Sequence, residues 1–526
     1  MITVLWFVAG VAVHVPWRAH GPTEWDSVQL VLGMGSFDVT QASPHAPGYW
    51  LYIGAGRLVE AVSPLGAHDS LVACAALAAG GAVALADVLG REMGGRWLGT
   101  AAAAVLLTSP FLLFYGSSVG TYAFDALAVE TLLLLAWRAR PHSWHGAAAA
   151  AALGLAAGFR QSSILLLAPV AVVAVARSVR TVGRGLVAAA AGAGSLVLWL
   201  VPMAVEQPGG LGAVQRAGGR IWREAVSVTS PLYGAPADGV RYNLGQATGY
   251  TLAAVALLLP AAAVSLLVRL GWRNGRWSHR FAVRNRGPAL LAVAAAPPLA
   301  FVLVLHFGKA GYVLSYLPAL VLLLLWPAAG LPPRPRLAVG ALVALACLVQ
   351  VQRFVVAPGI LPLAVTDRGG PWFTESRFGA PYRLTAQAID DVDADGRRYE
   401  ALARGFDPAL DVLVYVHLDG GHRFRHAMLM LPEFTAHYLQ AGLDEYVGHR
   451  RLWRRERDER VELPPGGRAV FVVDEPREEL LALVAAGRAR AQLLDTGPTV
   501  YVVEPGPRLF GVELAVDGRP PPGTGK

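Results

Sequence analysis

The chain has 526 residues, of which 54% are hydrophobic and 16% charged, and its mean hydropathy is +0.45. This composition is too apolar for an ordinary soluble domain and indicates a polytopic membrane protein. The net charge of +8 does not indicate nucleic-acid binding, because the arginines lie in short loops between apolar segments. Cys74 and Cys347 lie within apolar segments, which excludes a disulfide framework and a cysteine metal site.

Membrane-length apolar segments recur along the first two thirds of the chain. Because a span needs about 20 apolar residues, the pattern predicts about eleven transmembrane helices. Residues 48–62, with Arg57 and Glu60, are either a further span or a helix lying in the interface. The predicted spans are residues 2–17, 69–90, 97–115, 121–137, 145–159, 162–177, 185–205, 249–269, 288–306, 312–329 and 336–356.

The basic residues identify the side on which each loop lies. Arginines fall in alternate loops, which we assign to the cytoplasm by the positive-inside rule. The protein is therefore predicted to cross the cytoplasmic membrane many times, with 1–356 as its transmembrane domain. Loops 18–68 and 206–248, the short loop around Lys309 and the C-terminal region then lie outside.

The hydropathy falls after about residue 357. Residues 357–519 are predicted to form one extracytoplasmic α/β domain, because buried-strand patterns at 411–417 and 468–474 are followed by helical stretches. Residues 520–526 are rich in proline and glycine and are predicted to be disordered.

The first predicted outer loop carries an unusual polar sequence. Residues 24–29 read Glu-Trp-Asp-Ser-Val-Gln, residues 37–39 read Phe-Asp-Val, and residues 44–49 read Pro-His-Ala-Pro-Gly-Tyr. Polar groups at the boundary of an apolar chain are costly and often functional. The alternative is that the acids only cap helices in a hydrated loop.

This loop resembles that of the GT-C membrane glycosyltransferases, most closely the protein O-mannosyltransferase and aminoarabinose-transferase type, and the resemblance extends more weakly over about residues 1–330. It implies an inverting transfer of a sugar from a polyprenyl phosphate to an acceptor hydroxyl of a protein, lipid or polysaccharide. Asp26 matches the catalytic base, and Asp38 and His45 match substrate-binding positions. Ser27 replaces a second acid and Thr40–Ser43 is an insertion, so the acceptor class stays open. A divalent cation is possible.

Two further residues match the family in the middle of the chain. Asp125, just inside the outer end of the fourth span, is similar to a second catalytic acid that orients acceptor or sugar. Arg160 ends a glycine-rich span and resembles a basic residue that could hold the lipid phosphate with two hydrogen bonds. As alternatives, Asp125 and Arg160 form a structural ion pair, or Arg160 anchors a helix end by snorkelling.

The last candidate segment is residues 306–318. Lys309 is one of two lysines in the chain, and the resemblance places it beside the donor phosphate, where it would neutralise the leaving group. Tyr312 is a substrate-binding candidate or an interfacial aromatic residue. Loop 206–248 is predicted to form an amphipathic surface helix that gates the donor or simply lies in the interface.

Other functions remain open from the sequence. His417, Asp419, His422 and His426 have no strong metal-ligand spacing, so a strand-end loop is preferred to a metal site. A lipid or polysaccharide flippase would carry charges along a pathway and show inverted repeats, and no such repeat is recognisable. A catalytically inactive GT-C scaffold in cell-envelope assembly is the third hypothesis.

Overall fold

The computed structural model describes residues 1–271, 286–356, 384–417, 426–427, 429–440, 460–473, 477–494 and 499–516. The chain divides into two compact units. The first comprises Met1–Ser376 with Ala380–Ile389, and the second comprises Asp390–Lys526 with Arg377–Gly379. All of the candidate residues of the glycosyltransferase site lie in the first unit. The predicted domain boundary near 357 and the predicted tail fall outside the described residues.

The described part of the first unit consists mainly of α-helices, most of which are joined by short loops or 3-10 turns. The helices are α1 (Ile2–Ala12), α2 (Trp25–Gly35), α3 (Trp50–Val62), α4 (Ala67–Gly94), α5 (Arg96–Thr108), α6 (Pro110–Gly116), α7 (Tyr122–Arg138), α8 (His145–Phe159), α9 (Ser163–Ser178), α10 (Val182–Glu206), α11 (Gly210–Thr229), α12 (Ala237–Val255), α13 (Leu259–Gly271), α14 (Arg286–Val304), α15 (Leu317–Leu325) and α16 (Pro333–Val355).

The described helices are those of a membrane protein. Five are long and apolar enough to cross a bilayer: α4, α10, α14, α16 and the continuous run Ala237–Leu270. The pair α5 and α6, bent by 60°, makes a sixth if it is one span. Four shorter apolar helical segments also overlap predicted spans: Ile2–Trp17, His145–Phe159, Ser163–Ser178 and Leu317–Gly330. The total of about eleven spans stays a prediction.

Helix α3 occupies the segment whose role the sequence left open. It has 13 residues, and a helix of that size is about 20 Å long, which is less than the hydrocarbon thickness of about 30 Å. Helices α1, α8 and α9 have 11, 15 and 16 residues and also overlap predicted spans, so the length of α3 does not decide between an interfacial helix and a span.

Glycines allow the first helices to pack closely. A Cβ on Gly10 of α1 would lie 2.7 Å from the Cα of Gly80 of α4, and a Cβ on Gly90 would lie 2.7 Å from the Cα of Gly99 of α5. Small residues at such crossings permit close backbone contact, which is the main attraction between helices in a lipid environment. These crossings fix α4, the helix against which α1, α3, α5 and α7 pack.

The described part of the second unit contains two sheets and the C-terminal part of α17 (Ala386–Gly405). The strands are β1 (Asp411–His417), β2 (Ala436–Gln440), β3 (Arg460–Leu463), β4 (Arg468–Val473), β5 (Ala489–Leu493), β6 (Thr499–Val503), β7 (Arg508–Leu509) and β8 (Val512–Val516), with α18 (Glu478–Ala485) between β4 and β5. In the larger sheet the strand order is β2-β1-β4-β6-β5, and β1 runs parallel to both β2 and β4. The strand patterns predicted at 411–417 and 468–474 correspond to β1 and β4.

Candidate active site

The opening loop is held against the rest of the first unit by Ser27. Helix α2 begins at Trp25, and the Ser27 hydroxyl donates a 2.8 Å hydrogen bond to the carbonyl of Val119. That carbonyl lies in the turn between α6 and α7. The residue that replaces an acid in the family pattern therefore anchors α2 beside this turn.

Lys309 connects the opening loop to the loop before α15. Its Nζ lies 2.7 Å from Glu24 Oε2 and 2.8 Å from Asp26 Oδ2. The side chain of Glu24 is 8% exposed and that of Asp26 is 28% exposed. Glu24 Oε1 also accepts a 3.2 Å hydrogen bond from the Tyr115 hydroxyl. One buried cation is thus shared by two carboxylates.

These contacts bear on the capping alternative. Glu24 stands at the N-cap position of α2, but its side chain accepts no hydrogen bond from the helix backbone. The carboxylate points to Lys309 and Tyr115 instead. Capping does not explain Glu24.

A histidine and a tyrosine flank Asp26. His45 Nδ1 lies 3.9 Å from Asp26 Oδ1, and His45 Nε2 lies 3.0 Å from the Tyr49 hydroxyl. Tyr49 has a left-handed backbone with φ of 49°, which is unusual for a residue with a side chain. Burial raises the pKa of Tyr49 above its usual range, against the opposing effect of Arg160. The phenol is therefore a neutral hydrogen-bonding group next to Asp26 and His45.

The second ion pair joins α7 to the turn between α8 and α9. Arg160 Nη1 lies 2.5 Å from Asp125 Oδ2, and the Ser163 hydroxyl lies 3.4 Å from Asp125 Oδ1. The side chains of Arg160 and Asp125 are 7% and 3% exposed. The pair that the sequence analysis offered as an alternative is present. Its presence does not exclude a catalytic role, because a guanidinium has five N–H donors.

Aromatic rings join the two charged groups into one cluster. The guanidinium carbon of Arg160 lies 4.6 Å from the ring centre of Tyr122 and 4.1 Å from that of Tyr312. Tyr122 is also 4.7 Å from Tyr115, which binds Glu24. A Cβ on Gly311 would lie 2.3 Å from the Tyr122 ring, so only glycine allows this close approach. Asp26, Asp125, Arg160 and Lys309 are therefore linked through shared neighbours.

Asp38 helps to shape the opening loop. Its Oδ1 accepts hydrogen bonds from the backbone N–H of Thr40 at 2.8 Å and from Nε2 of Gln207 at 2.9 Å. Gln207 Oε1 in turn accepts a 2.8 Å bond from the N–H of Val39. The structure thus places Asp38 at a junction between the opening loop and the end of α10, and its predicted substrate contact stays a prediction.

Helix α11 lies beside the site. It is the amphipathic helix that the sequence predicts within loop 206–248. Arg216, Arg220 and Arg223 are exposed, whereas the opposite face is buried. Trp222 of this helix packs against Phe301, with ring centres 6.0 Å apart. Phe301 itself stacks on Tyr312 at 6.3 Å. The helix therefore supports the aromatic side of the cluster.

Sequence reasoning missed four members of the cluster. They are Glu24, Tyr49, Tyr115 and Tyr122, none of which was predicted to take part in catalysis or binding. Tyrosines are common at membrane interfaces, so they carry little signal by themselves. Their proximity to the charged residues depends on loops far apart in the chain.

His417 and His426, for which the sequence favours a strand-end loop over a metal site, lie in the second unit. His417 ends β1, and the His426 ring stacks on Tyr399 with centres 6.3 Å apart. Asp419 and His422 lie outside the described residues. The described part of the chain contains no group of three or more His, Cys, Asp or Glu side chains that could hold a metal ion.

We expect the buried His306 side chain to contribute to a dependence of the protein's stability on pH. Burial, reinforced by the charge of Arg160, lowers the pKa of His306 from 6.5 to about 4, and its Nδ1 lies 3.2 Å from Thr229 Oγ1. The unfolded chain therefore binds the proton more readily between these two values. The stability is full above pH 6.5 and falls as the pH drops towards 4, by at most about 1.4 kcal/mol per pH unit.

We expect His306→Asn to flatten this dependence. The measurement is the thermal unfolding midpoint in detergent at about pH 7 and about pH 5. The exposed His142 supplies the control variant His142→Asn. An equal loss of stability on acidification in wild type and His306→Asn would show that another group is responsible.

Two solved structures have the same fold over almost the whole chain. ArnT from Cupriavidus metallidurans in the apo state has a TM-score of 0.55 and 14% identity, covering 95% of this chain and 97% of that chain. The same protein bound to undecaprenyl phosphate gives 0.51 and 14% with the same coverage. No protein-family model and no curated protein sequence matches the chain. The GT-C fold expected from the opening loop is confirmed.

Proposed function

We propose that this protein is a membrane glycosyltransferase that moves a sugar from a polyprenyl phosphate to an acceptor hydroxyl, with inversion at the anomeric carbon. The observation that carries the proposal is the convergence of Asp26, Asp125, Arg160 and Lys309 on one cluster. Two acids and two cations are the groups needed to accept a proton and to stabilise a phosphate that leaves. The undecaprenyl phosphate bound to the ArnT structure supports the donor class.

The reaction follows from these groups. The acceptor oxygen attacks the anomeric carbon of the sugar while the bond between that carbon and the phosphate oxygen breaks. Asp26 takes the hydroxyl proton, and the phosphate leaves on the lipid with the electron pair of the broken bond. Asp26 suits the role of base because it is the more exposed of the two acids that contact Lys309, at 28% against 8% for Glu24.

The cations bind the leaving phosphate in this proposal. Among the described residues, Asp125 is the hydrogen-bond partner of Arg160, so guanidinium donors remain for a ligand. The rings of Tyr122 and Tyr312 hold the guanidinium by cation–π contact, which restricts its orientation. Asp125 then acts by orienting Arg160, and Lys309 neutralises the charge that develops as the sugar departs.

The setting of the reaction is also part of the proposal. The arginine-rich loops support a location of the cluster on the outer face of the cytoplasmic membrane. Residues 1–356 would form the catalytic transmembrane domain, and 357–519 an extracytoplasmic domain that contributes to the acceptor surface. The acceptor is a hydroxyl of a protein, a lipid or a polysaccharide.

Purified protein in lipid nanodiscs provides the test. A panel of undecaprenyl-phosphate sugars is incubated with protein and a cell-envelope extract as acceptor source, and release of undecaprenyl phosphate is measured. We expect Lys309→Met to reduce release by about a hundredfold, the effect typical of removing one group that stabilises charge in the transition state. Lys309→Arg, which keeps the charge, should retain more activity than Lys309→Met.

The control is Arg241→Met, since Arg241 lies at the surface and pairs with the exposed Asp238 at 3.5 Å. It should release undecaprenyl phosphate at the wild-type rate. Wild-type protein that moves the lipid between leaflets when reconstituted in liposomes, but releases no undecaprenyl phosphate from any donor, would favour the flippase hypothesis. Binding without turnover would favour the inactive scaffold.

A further inference from the structure

We infer that Lys309 changes partners during the reaction: Glu24 holds it throughout, whereas Asp26 releases it to the donor phosphate. Glu24 is then a positioning residue, and Asp26 becomes a base only when donor is bound. This inference rests on the proposed function. It assigns a role to Glu24 and adds a control step to the site.

The surroundings of Glu24 favour a permanent contact with Lys309. Both carboxylate oxygens are engaged, Oε2 with Lys309 Nζ at 2.7 Å and Oε1 with the Tyr115 hydroxyl at 3.2 Å. Its side chain is only 8% exposed. Leaving a buried carboxylate without its cation is costly, so this contact should survive the arrival of another anion.

Asp26 is more exposed than Glu24. It lies in the first turn of α2, and its side chain is 28% exposed. Its second oxygen, Oδ1, is 3.9 Å from His45 Nδ1. When Lys309 turns to a phosphate, Asp26 keeps this neighbour and stays accessible to an acceptor hydroxyl. The cost of separating Asp26 from Lys309 is therefore smaller than the cost of separating Glu24 from it.

The exchange of partners by Lys309 would control the basicity of Asp26. A carboxylate paired with an ammonium is a weaker proton acceptor than the same carboxylate alone. While Lys309 is bound to Asp26, the base is suppressed. A donor phosphate competes with Asp26 for the ammonium, and the base is released in the complex that needs it. Binding of the donor thus switches on proton abstraction.

Binding of undecaprenyl phosphate, measured without sugar by tryptophan fluorescence in nanodiscs, tests the exchange. We expect Asp26→Asn to bind this lipid about five- to tenfold more tightly than wild type, because Lys309 no longer has to leave a charged partner. In a Lys309→Met background, the same substitution should change the affinity less than twofold. A tightening of equal size in both backgrounds would indicate simple charge repulsion and overturn the exchange.

Glu24→Gln tests the positioning role. We expect donor KM to rise about tenfold and kcat to fall by less than the roughly hundredfold loss expected for Lys309→Met, because Lys309 loses its fixed support but stays in the site and Asp26 stays a base. A loss confined to kcat would overturn the assignment, since it would make Glu24 a group acting in the chemical step. Asp238→Asn, a change of an exposed acid, is the control for charge alone.

The binding measurements distinguish a failure of the proposed function from a failure of the exchange of partners by Lys309. Wild-type protein that does not bind undecaprenyl phosphate would reject the proposed function. Wild-type protein that binds it, with Asp26→Asn unchanged or weaker in affinity, would reject only the exchange of partners.

Discussion

Asp26→Asn should lower sugar transfer by about a hundredfold to ten-thousandfold, the range expected when a general base is removed. The amide keeps the size of the side chain and can contact Lys309, but it cannot accept the acceptor's proton. The fold should persist, because Asp26 is partly exposed and Glu24 still balances Lys309. The measurement is the release of undecaprenyl phosphate per folded molecule, with folding checked by thermal unfolding.

Asp238→Asn is the matched control for this change. It neutralises an acid whose side chain is 93% exposed, so it should retain full activity. Full transfer activity in Asp26→Asn would exclude Asp26 as the base and move that role to another group of the cluster.

Asp125→Asn should destabilise the protein by about 3–5 kcal/mol, because it leaves the buried guanidinium of Arg160 without its counter-charge. Transfer should also be lost, since Arg160 is no longer oriented. Combining Asp125→Asn with Arg160→Gln removes both charges, so most of the stability should return. The double variant should nevertheless stay inactive, because the phosphate has lost a ligand.

The double variant distinguishes a phosphate clamp from a structural ion pair. If the pair were only structural, the stable double variant would transfer sugar at close to the wild-type rate. A suitable control is Asp87→Asn, since Asp87 is also fully buried and pairs with an arginine, Arg91, at 2.7 Å. That variant should lose stability and keep its activity per folded molecule.

Much of the fold was predictable because lipid imposes a strong rule on sequence. Spans must be apolar and close to a fixed length, so α4, α10, α14 and α16 all overlap predicted segments. The turn at Arg160 and the helix in loop 206–248 were predictable for similar reasons, since a break in an apolar run and an alternation of faces are local patterns. Whether α3 is an interfacial helix or a span was not predictable, because its charged residues are compatible with either.

Only part of the candidate site was predictable from the sequence. Asp26, Asp125, Arg160 and Lys309 were identifiable because charge is rare in an apolar chain and because the segments around them resemble those of GT-C glycosyltransferases. His45 and Tyr312 were identified by the same resemblance. The role of Asp26 as base stays a prediction. The role of Glu24 was not predictable, because its contact with Lys309 joins residues 285 positions apart.

The sequence by itself determined that this is a membrane protein with a polar opening loop and a few isolated charges, because burial in lipid selects composition and period directly. Only the tertiary structure decided which charges meet. It brought Glu24 and Asp26 to one ammonium, placed Arg160 against two tyrosine rings, and put Ser27 against a backbone carbonyl. Such pairings depend on how α2, α7 and the loop before α15 pack together, and local sequence patterns carry no record of that packing.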